Sequence, residues 1–341
     1  MSAKKKPLRD FLARETSSGI VVLVAAALGL LVANTPLSGS YKELLEKDFT
    51  IALSGLTFSS TVHHFINDFL MVIFFYVVGL EIKRELISGH LNSVKKALMP
   101  FIAALGGMAV PAVIYLAIAG RTDSAGWGVP VATDIALAVG LLAIIGKGAP
   151  QSLRAFLLAL AVIDDIGAIL IIALVYSAGV HPTLVGVILG FLTPQFLMKK
   201  SKPFAERIEV ALHPVSSFVV VPIFAFANTG ISISSENITL ALGSAIAWGI
   251  FFGLVVGKPI GIVAAALGAK KLKFADLPAG VRRKVLGATG SAAGIGFTVS
   301  IFIAQLAFDD KQTQNIAILA VIAASIISAA ISAALFKLAK V

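Results

Sequence analysis

An all-α polytopic membrane fold of about ten transmembrane helices follows from three properties of the chain. Hydrophobic residues fill 58% of its 341 positions and charged residues only 13%. The resulting mean hydropathy of +0.95 is more apolar surface than a water-soluble domain can hide. Apolar runs long enough to cross ~30 Å of hydrocarbon recur along the whole length, and the stretches between them are too short for a separate soluble domain. One membrane domain over residues 1–341 is therefore predicted.

The spans fall near 17–34, 65–82, 97–119, 127–146, 153–176, 181–198, 212–231, 240–268, 285–307 and 316–336. The basic segment MSAKKKPLRDFLARE precedes the first, which lacks a small-residue cleavage signal and reads as a retained span. Of the 28 Lys and Arg residues, Lys42, Lys47, Arg121 and Lys311 fall in the loops of one side. Lys258 lies inside a span, and all the others lie on the opposite side, with both termini. The positive-inside rule makes that side cytoplasmic. The net charge of +10 is thus explained by topology and by anionic lipid headgroups, and nucleic-acid binding is not needed to account for it. The absence of cysteine excludes disulfides, thiolate metal sites and haem attachment.

Between the first two spans, DFTIALSGLTFSS alternates Phe49, Ile51 and Leu53 with Leu56 and Phe58 about Ser54-Gly55, which predicts a short external β-hairpin. A lone hairpin is marginal in water, so it is expected to pack on something, a second subunit being one candidate and an ordinary ordered loop the alternative. His63, His64, His90 and His181 read as interface or cap residues.

Four ionisable residues sit in mid-span: Asp134 in PVATDIALAVG, Asp164 and Asp165 in AVIDDIGAIL, and Lys258 in VVGKPIGIV. Each costs roughly 2.5–3.5 kcal/mol at that depth unless the four share a polar site. An ion pair that merely locks two helices accounts for one Asp with Lys258. It does not account for three carboxylates against one ammonium, because the excess must protonate or bind a cation. Adjacent helical positions point about 100° apart, so Asp164 and Asp165 cannot both face one partner. Two spans also read as broken, one at Pro130 and Thr133-Asp134, the other at TGSAAGIGFTVS with Gly290, Gly294 and Gly296. Non-helical backbone at that depth survives where it lines a cavity or is covered by protein. Asp134 is placed to neutralise exposed helix N-termini and Lys258 exposed C-termini. For the glycines alone, close helix packing explains as much.

The segments GLEIKREL, ATDIALAVG, LLALAVIDDIGAI, GVHPTLVGVILGF, LHPVSSFVVVPIFAFANTGI, GKPIGI and GIGFTVSIFIAQLAF, in that order, resemble the NhaA-type bacterial sodium/proton antiporters. The resemblance implies two inverted repeats, a documented feature of that family. They would form a core over about 97–176 and 240–336, with broken helices crossing at mid-membrane and a scaffold over about 11–96 and 181–231. It implies that Asp165 and Asp164 bind sodium and exchange protons, and that Lys258 pairs with Asp164 and is released as sodium enters. Asp134 and Thr133 would stabilise the crossing. Glu81, Arg84, Glu85, Glu209 and His213 match the family's pH-sensing region, against the plainer reading of charged helix ends. It also implies a multi-pass protein of the bacterial inner membrane, with sodium or lithium ions and protons as substrates, no cofactor, no enzymatic activity and a homodimer as its assembly. In the family two further helices separate the counterparts of IIALVYS and GVHPTLVGV; here Ser177 is followed almost at once by Gly179, and about two helices are missing from the scaffold half. Exchange by alternating access is the expected function, suppressed at low pH. A passive cation channel is the alternative, and an intramembrane aspartyl protease using Asp134 and Asp164 is a more distant one.

Overall fold

The computed structural model describes residues 15–53, 56–89, 91–146, 148–175, 181–195 and 203–339. The basic N-terminal segment, the Ser54-Gly55 turn, His90 and the Ser177–Gly179 junction lie outside them. The described chain is helical almost throughout. It runs through α1 (Glu15–Ala33), α2 (Ser38–Glu46), the strands β1 (Asp48–Leu53) and β2 (Leu56–Thr61), α3 (Val62–Ile87) and α4 (Val94–Ala119). A 3₁₀ helix (Ala125–Val131) then leads into α5 (Ile135–Ile145), α6 (Gln151–Val175) and α7 (Pro182–Leu192). The remainder is α8 (Phe204–Asn228), α9 (Ser235–Gly243), α10 (Ala245–Lys271), α11 (Arg283–Ala293), α12 (Phe297–Ala307) and α13 (Lys311–Leu338). Among the described residues seven helical segments are long and apolar enough to cross a membrane, or up to nine if each bent pair counts as one span.

The strands pair antiparallel with Leu53 opposite Leu56 and Asp48 opposite Thr61, so the alternating segment does form a hairpin. Two expected spans differ. The sixth, read as 181–198, is helical among the described residues over Pro182–Leu192; at 1.5 Å per residue that is about 16 Å, half of what a bilayer core requires. His181 starts it by accepting the Thr183 amide, Pro182 occupies the first turn, and Lys83 Nζ ends it by donating to the Phe191 and Thr193 carbonyls at 2.7 and 2.6 Å. The eighth, read as 240–268, begins at Ala245, where the Ser244 side chain accepts the Ala247 amide; residues 240–243 belong to the separate helix α9.

The chain divides into two compact units. The first comprises 1–19, 84–179 and 236–341, the second 20–83 and 180–235. In the second, α7 carries Gly186 and Gly190 four residues apart, and a Cβ on either would strike the α3 backbone at Val72 or Tyr76. Small residues at that spacing let two helices touch backbone to backbone, which is how helices associate when lipid offers no hydrophobic drive. The same unit ties the end of α8 to its neighbours: the Tyr41 hydroxyl donates to the Phe226 carbonyl at 2.7 Å, and Asn228 bonds both His63 and Asn67.

In the first unit α4 and α10 approach closest at Gly106 and Gly261, where a Cβ on either would land on the other's carbonyl oxygen. One turn earlier in α10, Gly257 lies against Pro111 of α4. A π turn over Gly253–Gly257 precedes Pro259, as one over Ser216–Val220 precedes Pro222 in α8. Proline cannot donate to the carbonyl four residues back and its ring needs room there, so the wide turn absorbs both defects. In α10 that turn also sets the direction of Lys258, the next residue. Burial ranks the helices: 67% of the most apolar stretch of α6 is buried against 28% of that of α4, which makes α6 central and α4 peripheral.

The Gly261→Val variant is expected to force α4 from α10 and lose about 1–3 kcal/mol of stability, read as a lower unfolding temperature in detergent, whereas Gly268→Ala, facing open space, should cost nothing.

Candidate functional site

The site is built where two interrupted helices of the first unit meet. Between the 3₁₀ helix and α5, residues 132–134 are non-helical, and between α11 and α12 so are 295–296, with a bend of 46°. The Asp134 amide donates to the Ile295 carbonyl at 2.7 Å, so the two breaks bond to each other. Four half-helix ends therefore face inward, two presenting amides and two presenting carbonyls, each a backbone group that hydrocarbon cannot satisfy.

Asp134 serves both amide ends. Its Oδ1 accepts the Leu137 amide at 3.1 Å, capping α5. Its Oδ2 accepts from Thr298 at the start of α12, from the amide at 3.2 Å and from the hydroxyl at 2.5 Å. A carboxylate at two helix N-termini is the favourable sign for the partial positive charge there. The Phe297 amide at the same end donates to Ser325 Oγ of α13 at 3.3 Å.

The carbonyl ends receive donors. Lys258 Nζ donates to the Val131 carbonyl at the end of the 3₁₀ helix, and Thr133 Oγ1 stands 2.8 Å from the Ala293 carbonyl at the end of α11. Both donors also reach Asp164 Oδ2, Lys258 Nζ at 2.8 Å and Thr133 Oγ1 at 2.6 Å. Lys258 is 0% exposed, Asp164 1% and Asp165 8%, so the second carboxylate of the pair is the more accessible. Asp164 Oδ1 is buried without a hydrogen-bond partner among the described residues.

The face of α6 that carries Asp165 also lines a cavity nearer the helix N-terminus. A cavity of about 570 Å³ lies at the junction of α5 and α6, lined by Val139, Leu142, Gln151, Arg154 and Leu158 among others. Positions 151, 154, 158 and 165 follow the helical repeat of one face of α6, which places Asp165 two turns, about 10 Å, beyond Leu158 on the cavity side. Asp164 is turned about 100° from it, toward Lys258.

The structure thus brings Thr133, Asp134, Asp164, Asp165 and Lys258 together within one unit. Asp134 bonds the helix ends, whereas Asp164 bonds Lys258 and Thr133. The remaining candidates lie on other helices. Glu81, Arg84 and Glu85 occupy the last turns of α3, with Arg84 Nη2 3.7 Å from Glu85 Oε1 and Glu85 buried. On α8 of the second unit Glu209 is buried and His213 exposed. Sequence reasoning missed Thr298, whose signal was a hydroxyl residue two positions after Gly296, where a new helix needs its amides capped. It also missed Ser325, one of three serines at helical spacing on α13.

The family model described as Na+/H+ antiporter 1 matches residues 9–178 and 176–336, in two pieces that overlap at residues 176–178. The chain is similar to "Na(+)/H(+) antiporter NhaA 1" of Clostridium beijerinckii, 39% identical with 98% of this chain and 96% of the relative aligned. It is 42% identical to the protein of the same name from Klebsiella pneumoniae, over 97% of this chain and 96% of the relative. It is 40% identical to "Na(+)/H(+) antiporter NhaA" of Shewanella baltica, over 95% and 96%. The Clostridium alignment extends over 386 positions, more than the 341 residues available here, so that relative carries residues without a counterpart in this chain.

Replacing Thr298 by Val keeps the shape but removes a donor to a buried carboxylate. The expected cost is about 1–3 kcal/mol of stability, and Thr298→Ser should restore most of it in thermal unfolding of the detergent-solubilised protein.

Proposed function

The chain belongs to the Na+/H+ antiporter 1 family, and on that premise we propose that it exchanges cytoplasmic sodium or lithium for external protons through Asp165 and Asp164. The observation that carries this reading is the pairing of Lys258 with Asp164 beside a more accessible Asp165, both at mid-helix in the unit that holds the two broken helices. Carboxylate oxygens suit a small hard cation, and the same oxygens take a proton. Sodium and protons therefore compete for one place.

In this reading the first unit is the moving core and the second the scaffold, the core containing two inverted repeats. Sodium entering beside Asp165 draws Asp164 away from Lys258, and the ammonium keeps the Val131 carbonyl as a partner while its carboxylate is engaged elsewhere. Core movement requires the site to hold either sodium or protons, which makes exchange obligatory. Asp134 and Thr133 hold the crossing throughout. Glu81, Arg84, Glu85, Glu209 and His213 tune activity with pH from the cytoplasmic end. Both termini are cytoplasmic in a bacterial inner membrane. A second copy completes the assembly, since a two-stranded sheet has free edges that a partner strand would cover.

In everted membrane vesicles with an imposed pH gradient, sodium should dissipate the gradient for the wild type and not for Asp165→Asn; normal exchange by that variant removes Asp165 from its role. An imposed sodium gradient should drive protons uphill, which a channel cannot do. Lys258→Ala should raise the KM for sodium and displace the pH profile, and an unchanged profile would refute the link to Asp164. Activity should fall as pH falls, because protons occupy the carboxylates sodium needs.

A further inference from the structure

The cavity at the junction of α5 and α6, on the α6 face that continues to Asp165, carries a charge that repels cations. Arg154 lines it, exposed, in the first turn of α6. It makes no ion pair with any described residue. That turn contains no acidic residue. A helix N-terminus already bears partial positive charge, so a guanidinium there is the unfavourable arrangement. The mounting is firm: Ser152 Oγ, two residues earlier, donates to the Ala279 carbonyl at 2.6 Å. The helical repeat carries the same face inward from Arg154 through Leu158 to Asp165.

We propose that Arg154 is an electrostatic barrier on the sodium entry route: its charge, added to that of the α6 N-terminus, slows the arrival of sodium at the cavity mouth and, with turnover faster than sodium dissociation, sets a high apparent KM on that side. This rests on the exchange reading above. Arg154 does not touch the bound ion, lying eleven residues, about 16 Å of helix, from Asp165. It acts on arrival. An ion passing roughly 6 Å from the guanidinium in a watery mouth is disfavoured about threefold, and the effect is screened away as ionic strength rises. The benefit is regulatory: export stays slow at low cytoplasmic sodium and accelerates when sodium accumulates. Protons are repelled in the same proportion, so where protons dominate the site the two effects offset.

The test is sodium-dependent exchange in everted vesicles, whose outer face is the cytoplasmic one, at alkaline pH and in low and high concentrations of an inert salt. At low ionic strength Arg154→Gln should lower the sodium KM about threefold with kcat unchanged, and Arg154→Lys should behave as wild type. At high ionic strength the difference should vanish, and on the acid limb it should shrink or invert. The unfolding temperature of Arg154→Gln should equal or exceed that of wild type, since an unfavourable charge has been removed from a helix N-terminus. An unchanged KM at low ionic strength, a change that persists in high salt, or failure of the lysine variant to restore the wild-type value would each overturn the proposal. Absence of exchange in the wild type would instead overturn the exchange reading.

Discussion

Unpaired backbone at the ends of four half-helices is the constraint that organises this protein. A helix interrupted within a bilayer leaves amides and carbonyls with no water to bond, and each orphan costs several kcal/mol. The chain answers by sorting the ends by sign. The amide ends of α5 and α12 meet one carboxylate, Asp134, while the carbonyl ends of the 3₁₀ helix and α11 meet an ammonium and a hydroxyl, from Lys258 and Thr133. Removing any of these side chains would strand a helix end, so Asp134 and Lys258 are part of the architecture before they take part in any chemistry.

The surrounding packing is shaped to hold that crossing. Gly106 and Gly261 bring α4 against α10, and the π turn ahead of Pro259 aims Lys258. On α13, Ser325 takes the Phe297 amide and Ser332 donates to the Ala288 carbonyl at 2.8 Å, so one serine face braces both halves of the broken pair α11 and α12. Between them Ser328 is buried beside Gly294, where a Cβ would come within 2.9 Å of its hydroxyl. A Cβ there would also lie 2.5 Å from the Leu254 carbonyl, so the glycine lets the end of α11 approach the backbone of α10.

Much of this was legible in the sequence, because the strongest signals were violations. Charges and prolines inside apolar runs stand out against a uniform background, and they marked the two breaks and the residues that gather at them. The hairpin was legible for a similar reason, since period-two alternation in a helical protein is conspicuous. Lengths were less legible. Apolar composition continues past Leu192 and begins before Ala245, so hydropathy extended the sixth and eighth spans; the actual ends are set by a lysine from another helix and by a serine cap, which no running average detects. Thr298 and Ser325 escaped because a hydroxyl in an apolar helix is cheap and common, and only the position of the neighbouring break gives it meaning.

The asymmetry between the two adjacent aspartates then follows from counting donors. Asp164 Oδ2 is approached by Lys258 Nζ and by Thr133 Oγ1, yet the single Thr133 proton serves either Asp164 or the Ala293 carbonyl at any moment. Oδ1 has no partner among the described residues. Asp164 is therefore held by an ammonium that also has a backbone carbonyl to bond, and by a hydroxyl with a second acceptor, so both partners can release it without becoming orphans themselves. A carboxylate fixed by dedicated donors, as Asp134 is by three, has no such freedom. Under the exchange reading that difference separates the roles. Asp134 is bound too completely to give up its partners, whereas Asp164 can trade an ammonium for a cation delivered beside Asp165, because neither the lysine nor the threonine depends on it alone.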